Sequence, residues 1–174
     1  MKNLRFIIIL VMVLGGFVAL YVFTSSQGST EPRPGTAQSD EGREHVSTGK
    51  IVSYKNTVPT SGTHSVQPAA WGVSPTELPD EAIVHNMEHG GVVVSYRPDA
   101  DKATVEKLTA LLSKPFSNKN FLPTKVILMP RSGQESPILL ASWRRTQELD
   151  KYDEQQIITY YTNNIGKSPE PRAS

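Results

Sequence analysis

The sequence contains no cysteine among its 174 residues. Disulfide bonds, thiolate nucleophiles, thiolate metal sites and lipid attachment through cysteine are therefore excluded. A domain without disulfides has to be stabilised by its hydrophobic core. Any transition metal has to be bound by imidazole, carboxylate or thioether groups.

The sequence also lacks a strong excess of either charge, with a formal net charge of +1. Nothing therefore indicates a nucleic-acid partner.

Residues 24–48 have almost no large apolar side chain and are rich in Ser, Thr, Gly, Pro and charge. Because such a segment cannot offset its ordering entropy by burial, we expect a flexible tether at 24–48, with His45 solvated within it. The tail after Gly166 is expected to be frayed.

One long apolar run is present, at residues 6–23, and it carries no charge. At about 1.5 Å per residue it extends roughly 27 Å, enough for a bilayer core. Lys2 and Arg5 precede it, so the positive-inside rule predicts a cytoplasmic N-terminus and an exported remainder. A cleaved signal peptide is the alternative, although the run is longer than a usual signal core and no A-x-A-like site follows. We expect a single-pass protein of the cytoplasmic membrane, with residues 1–23 as anchor and 6–23 in contact with lipid. The sequence identifies no protein partner.

Residues 49–174 are sufficient for one exported domain. Strands are predicted at 49–54, 91–96, 124–129 and 137–144, and a long ordered loop at 56–79. Helices are predicted from Asp99 or Asp101 to Lys114 and from Asp150 or Asp153 to Ile165. This order predicts a small single domain of α/β or α+β class, preceded by an N-terminal transmembrane helix. Its mixed sheet would carry about two helices on one face.

The chemistry concentrates in residues 85–91, which read His-Asn-Met-Glu-His-Gly-Gly, and in His64 at the end of a turn-rich segment. The His-x-x-Glu-His spacing matches an inverted zinc-protease motif, which needs a helix so that both imidazoles reach one ion. On a strand, His85 and His89 would stand about 13 Å apart. A shared metal site therefore requires a helical or bent backbone here.

Three interpretations of this segment remain open. The first is a metal site formed by His64, His85, Glu88 and His89, with copper if Met87 is a ligand and zinc, iron or manganese if Glu88 is. The second is an envelope interaction or assembly protein in which the same side chains form a structural hydrogen-bond network. The third is a metal-dependent hydrolase. We take the first, with copper or zinc as the ion, and assign no catalytic residue.

Four segments are similar, in order, to a bacterial family catalogued as domain of unknown function 3105. The segments are Val58–His64, Val84–Tyr96, Ala141–Arg144 and Pro169–Glu170. The resemblance extends from about Ser53 to Glu170, and the His-Glu-His segment is its most specific part. It implies a membrane-anchored, exported single domain in which His64, His85, Glu88 and His89 belong together. It implies no activity.

Overall fold

The computed structural model describes residues 33–113 and 125–173. The predicted anchor and residues 24–32 of the predicted tether lie outside the described residues. Among the described residues, no helix has both the length and the apolar character needed to cross a bilayer. All of the described residues belong to one compact unit.

The described elements form a small α+β domain around a mixed sheet, as predicted. The strands are β1 (Thr36–Ala37), β2 (His45–Val46), β3 (His64–Ser65), β4 (Gly72–Val73), β5 (Val92–Tyr96), β6 (Val126–Pro130), β7 (Ile138–Ser142) and β8 (Arg145–Leu149). The helices are α1 (Asp80–Glu88), α2 (Lys102–Leu112) and α3 (Glu154–Asn164). Six strands form one sheet in the order β1-β8-β7-β5-β6-β4, while β2 and β3 pair separately. In the large sheet, β5 runs parallel to β6 and antiparallel to β7.

The central strands are buried on both faces, so two hydrophobic cores flank the sheet. Val92 and Val94 of β5 point into one core with α2 and α3, whereas Val93 points into the other with α1. Strands covered on both faces carry nearly continuous apolar runs instead of an alternating pattern. The expectation that the helices share one face is therefore wrong: α1 lies opposite α2 and α3.

Two strand predictions differ from the structure. Residues 49–54 are not a strand, and the backbone N of Val52 donates to Glu81 Oε1 at 2.7 Å instead of to a neighbouring strand. Conversely, β8 was not predicted, because its sequence, RTQEL, is mostly polar. Pairing with β7 and β1 decides its conformation.

Residues 33–48 contact the domain, in contrast to the tether expected there. β1 pairs antiparallel with β8, and Gln38 N donates to Arg144 O at 3.0 Å. Without β1, β8 would be an edge strand with unpaired backbone groups. The segment is therefore ordered by hydrogen bonds to the sheet rather than by burial of apolar side chains.

Candidate metal centre

Six side chains with nitrogen or oxygen donors converge beside α1, and we call them the His/Glu cluster. They are His45, His64, His85, Glu88, His89 and Glu170. The ligand atoms of the first three all lie within 4.8 Å of one another, and so do those of the last three. The cluster contains all four residues predicted from the sequence and adds two.

His45 and His64 are brought together by the pairing of β2 with β3. The two strands run parallel with His45 opposite His64, and Gly62 N extends the pairing by donating to Gly42 O at 2.7 Å. Their Nε2 atoms lie 3.2 Å apart. His45 is therefore part of the cluster, and the expectation of a solvated His45 holds only in that 40% of its side chain remains exposed.

Helix α1 supplies His85 and Glu88, and His89 is its C-cap residue. Because residues four apart share one helical face, His85 Nε2 lies 2.9 Å from His89 Nε2. The segment thus adopts the helical alternative, and the strand alternative is wrong.

The end of α1 is set by the double glycine. Gly90 N donates to Met87 O and Gly91 N donates to Asn86 O, the bond pair of a Schellman motif. Gly90 has φ +86, a conformation that glycine adopts without strain. The chain can therefore leave the helix directly after His89 and enter β5.

Backbone carbonyls fix the orientation of the two buried imidazoles. His64 Nδ1 lies 2.8 Å from Gly62 O, and His85 Nδ1 lies 2.6 Å from Ser65 O. A carbonyl oxygen only accepts, so each Nδ1 carries the proton and donates. In the neutral rings, the Nε2 lone pairs then point into the cluster, the arrangement found for metal-bound histidines.

Glu88 is a fully buried carboxylate at the centre of the cluster. Its Oε2 lies 3.0 Å from His64 Nε2 and 3.6 Å from His45 Nε2. Its Oε1 is buried and has no hydrogen-bond partner among the described residues. A buried carboxylate that faces imidazole lone pairs requires positive charge, supplied by protons or by a metal ion.

Protonation of His64 is disfavoured by its surroundings. Burial lowers the pKa of His64, and the bond to Gly62 and the charge of Glu88 oppose this only in part. The imidazole is therefore held toward its neutral form, which is the form that coordinates metals.

The C-terminal tail adds Glu170 to the cluster. Glu170 N donates to Glu88 O at 3.1 Å, and Gly166 N donates to Gly90 O at 2.8 Å. Helix C-termini leave carbonyls unpaired, and the tail supplies donors for them. The tail that is expected to be frayed is thus hydrogen-bonded to the end of α1 at Glu170. Glu170 Oε2 lies 3.9 Å from His89 Nε2.

The structure also decides the role of Met87. Its side chain is fully buried and packs in the core with Ile83 and Val93. The donors in the cluster are thus nitrogen and oxygen, without a thioether. Sequence reasoning missed His45 because its flanking composition is that of a linker. It missed Glu170 because a glutamate in a polar tail has no metal-ligand spacing to the histidines, although Pro169–Glu170 is one of the segments that resemble the family.

The chain matches the model of a known protein family. The model of the family described as "Protein of unknown function (DUF3105)" matches residues 45–174, a range that includes the whole cluster. No curated protein and no solved structure matches the chain.

Proposed function

Because the chain belongs to the DUF3105 family of proteins of unknown function, we propose its function from the site itself: it is a metal-binding module that holds a zinc ion in the His/Glu cluster. The observation that carries the proposal is the buried Glu88 carboxylate, which faces imidazole Nε2 atoms and has one oxygen without a partner among the described residues. A divalent cation would satisfy all of these groups at once.

The spacing of the donor atoms supports a tetrahedral ion. The three distances among His45 Nε2, His64 Nε2 and Glu88 Oε2 are 3.2, 3.0 and 3.6 Å. Ligands about 2.0–2.1 Å from a tetrahedral zinc lie roughly 3.3 Å apart. His85 would supply a further imidazole, since its donor atom lies within 4.8 Å of those of His45 and His64.

The donor types favour zinc over cuprous copper. Cuprous ion prefers thiolate and thioether ligands, and the methionine next to the cluster packs in the core. Imidazole with carboxylate suits zinc and other divalent first-row ions. His89 and Glu170 lie at the edge of the cluster, where they would orient the ligands or bind a second ion.

The proposal includes a cellular location. Residues 6–23 would anchor the chain in the cytoplasmic membrane, with the metal site outside the cytoplasm. This part is supported only by the apolar run and the two basic residues before it.

Zinc binding is tested with the purified full chain. We expect submicromolar affinity, falling below about pH 6 because protonated imidazole does not coordinate. Replacing the half-exposed His45 by alanine should weaken binding by at least about tenfold, since even groups that only orient ligands contribute that much. Isothermal titration with zinc and with copper measures both effects, and Glu44→Ala, next to it on the exposed surface, is the matched control.

Two results would contradict this proposal. One is an equal zinc titration for wild type, His45→Ala and His85→Ala. The other is a wild type that binds no metal while both variants lose thermal stability, which would support the structural network instead.

A hydrolase is the second candidate, and the helical placement of His85 and His89 favours it. In that mechanism Glu88 would act as general base beside the metal. Hydrolysis of a model peptide or ester that Glu88→Gln abolishes while zinc remains bound would single it out. Glu106→Gln, on an exposed face of α2, is the control.

A further inference from the structure

A second site is indicated by a cavity of about 760 Å³ between the N-terminal segment, the β7–β8 turn and the C-terminal tail. None of the six cluster residues lines it. Trp143 separates the two sites: it lines the cavity, and its ring lies edge-on to His64 at 6.5 Å. The cavity is thus a neighbour of the His/Glu cluster and not a part of it.

The lining of this cavity is strongly basic. Five cationic side chains contribute to it: Arg33, Arg43, Arg144, Arg145 and Lys167. The one carboxylate in the lining is Asp40, which forms an ion pair with Arg144 at 3.3 Å. Five cations and one anion give the lining a formal charge of +4, whereas the whole chain carries +1. Such a concentration of positive charge attracts anions.

The two innermost arginines are held by neutral groups. Arg145 Nη1 donates to the carbonyls of Arg33 and Gly35 at 2.8 and 2.6 Å. Arg33 donates through Nε and Nη2 to Asn164 Oδ1 at 3.1 and 2.8 Å. Carbonyl and amide oxygens fix these guanidinium groups in place without neutralising them. Burial lowers the pKa of Arg33, and the nearby Arg145 charge lowers it further.

A neutral donor completes the lining. The Ser168 hydroxyl oxygen is buried and has no hydrogen-bond partner among the described residues, and Ser168 lines the same cavity. Buried hydroxyls are normally bonded, so an unpaired one beside cations is suited to an oxyanion.

We propose that this cavity binds the phosphate groups of a small soluble molecule. The lining offers many hydrogen-bond donors, from guanidinium groups, a lysine and a hydroxyl. This number suits the several acceptor oxygens of a phosphate better than the two oxygens of a carboxylate. The volume lies within the range of small-molecule sites and exceeds that of a single phosphate. The ligand is therefore a diphosphate or a phosphate ester with a further organic group.

The test is calorimetric titration of pyrophosphate into the full chain, kept in a nonionic detergent because of its apolar N-terminal run. Metal is first removed with a chelator, and the chelator is then removed by dialysis. We expect saturable binding tighter than about 1 mM. Arg43→Gln combined with Lys167→Gln should weaken it about tenfold or more, because two charge-assisted contacts are lost. Neither side chain has a hydrogen bond or ion pair within the described ranges, so the fold should tolerate both changes.

Controls separate this site from its alternatives. Lys102→Gln with Lys151→Gln makes the same charge change on the exposed surface and should leave binding unaltered. The proposal is overturned if pyrophosphate does not bind or if the surface control weakens binding equally. Binding of short-chain phosphatidylglycerol without binding of pyrophosphate would also overturn it, since the phosphate would then come from lipid.

Discussion

At the scale of single residues, Gly91 lies in the turn between the His/Glu cluster at the end of α1 and strand β5. A Cβ at this position would lie 2.4 Å from Trp71 Cη2 and 2.9 Å from Asn86 O. The glycine therefore allows the indole to pack over the turn that follows His89. This turn also carries the Schellman bonds that end α1.

We predict that Gly91→Ala lowers the free energy of unfolding by about 1–3 kcal/mol, because it overpacks a closed turn. Urea denaturation measures the change. The same substitution is also made in a Trp71→Leu variant, which lacks the nearest ring atoms. Gly91→Ala should lower the free energy of unfolding less in that variant than in the wild type. Equal costs in both backgrounds would show that the indole is not the obstacle.

At the scale of elements, the site is assembled from segments that have little regular structure of their own. β2 and β3 contain two residues each, yet their register decides that His45 faces His64. Residues 165–173, beyond α3, contain no helix or strand but supply Glu170. Their order comes from hydrogen bonds to α1 and to each other, so losing one segment should affect the site as a whole.

The N-terminal segment gives a direct test of this dependence. We predict that a chain beginning at Gly49 has a thermal midpoint lower by more than about 5 °C than one beginning at Arg33. It should also bind zinc more weakly, because it lacks β1, β2 and His45. Scanning calorimetry and zinc titration compare the two chains, and His45→Ala in the longer chain separates loss of the ligand from loss of the strands. Equal midpoints would support the tether that composition predicts.

At the scale of the whole molecule, the stability of the metal-free chain should depend on pH through His64. Its pKa is lowered in the folded state by burial, so below the unfolded value of about 6.5 the unfolded state takes up the proton more readily. Stability is then complete above about pH 7.5 and decreases as the pH falls toward 5.

This prediction is checked by urea denaturation of the metal-free chain at several pH values. Asp101 and Asp153 do not interfere, because hydrogen bonds from Thr104 and Gln156 lower their pKa values and keep them ionised over this range. His64→Asn, which cannot titrate, should flatten the dependence. Stability that is constant or rises toward pH 5 would contradict the assignment.

The membrane anchor is a prediction at the same scale. We expect the chain to remain in the membrane fraction after alkaline washing, because an apolar run of this length spans a bilayer core. External protease should digest the domain in spheroplasts, since the basic residues keep the N-terminus inside. Replacing Gly15 and Gly16 by Lys should release the chain, whereas replacing them by Leu should not. A mature chain beginning near Ser26 or Gly28 in the soluble fraction would indicate cleavage instead.

The sequence by itself determined the parts of this protein that depend on local pattern. Continuous apolar runs predicted β5, β6 and β7, and the capping aspartates predicted α2 and α3. His64, His85, Glu88 and His89 were identified because few residue types carry this chemistry. Only the tertiary structure decided the position of α1 on the opposite face, since strands buried on both sides do not indicate which face a helix covers. The tertiary structure alone placed His45 and Glu170 in the His/Glu cluster, because backbone pairing between distant segments leaves no periodic pattern in the sequence.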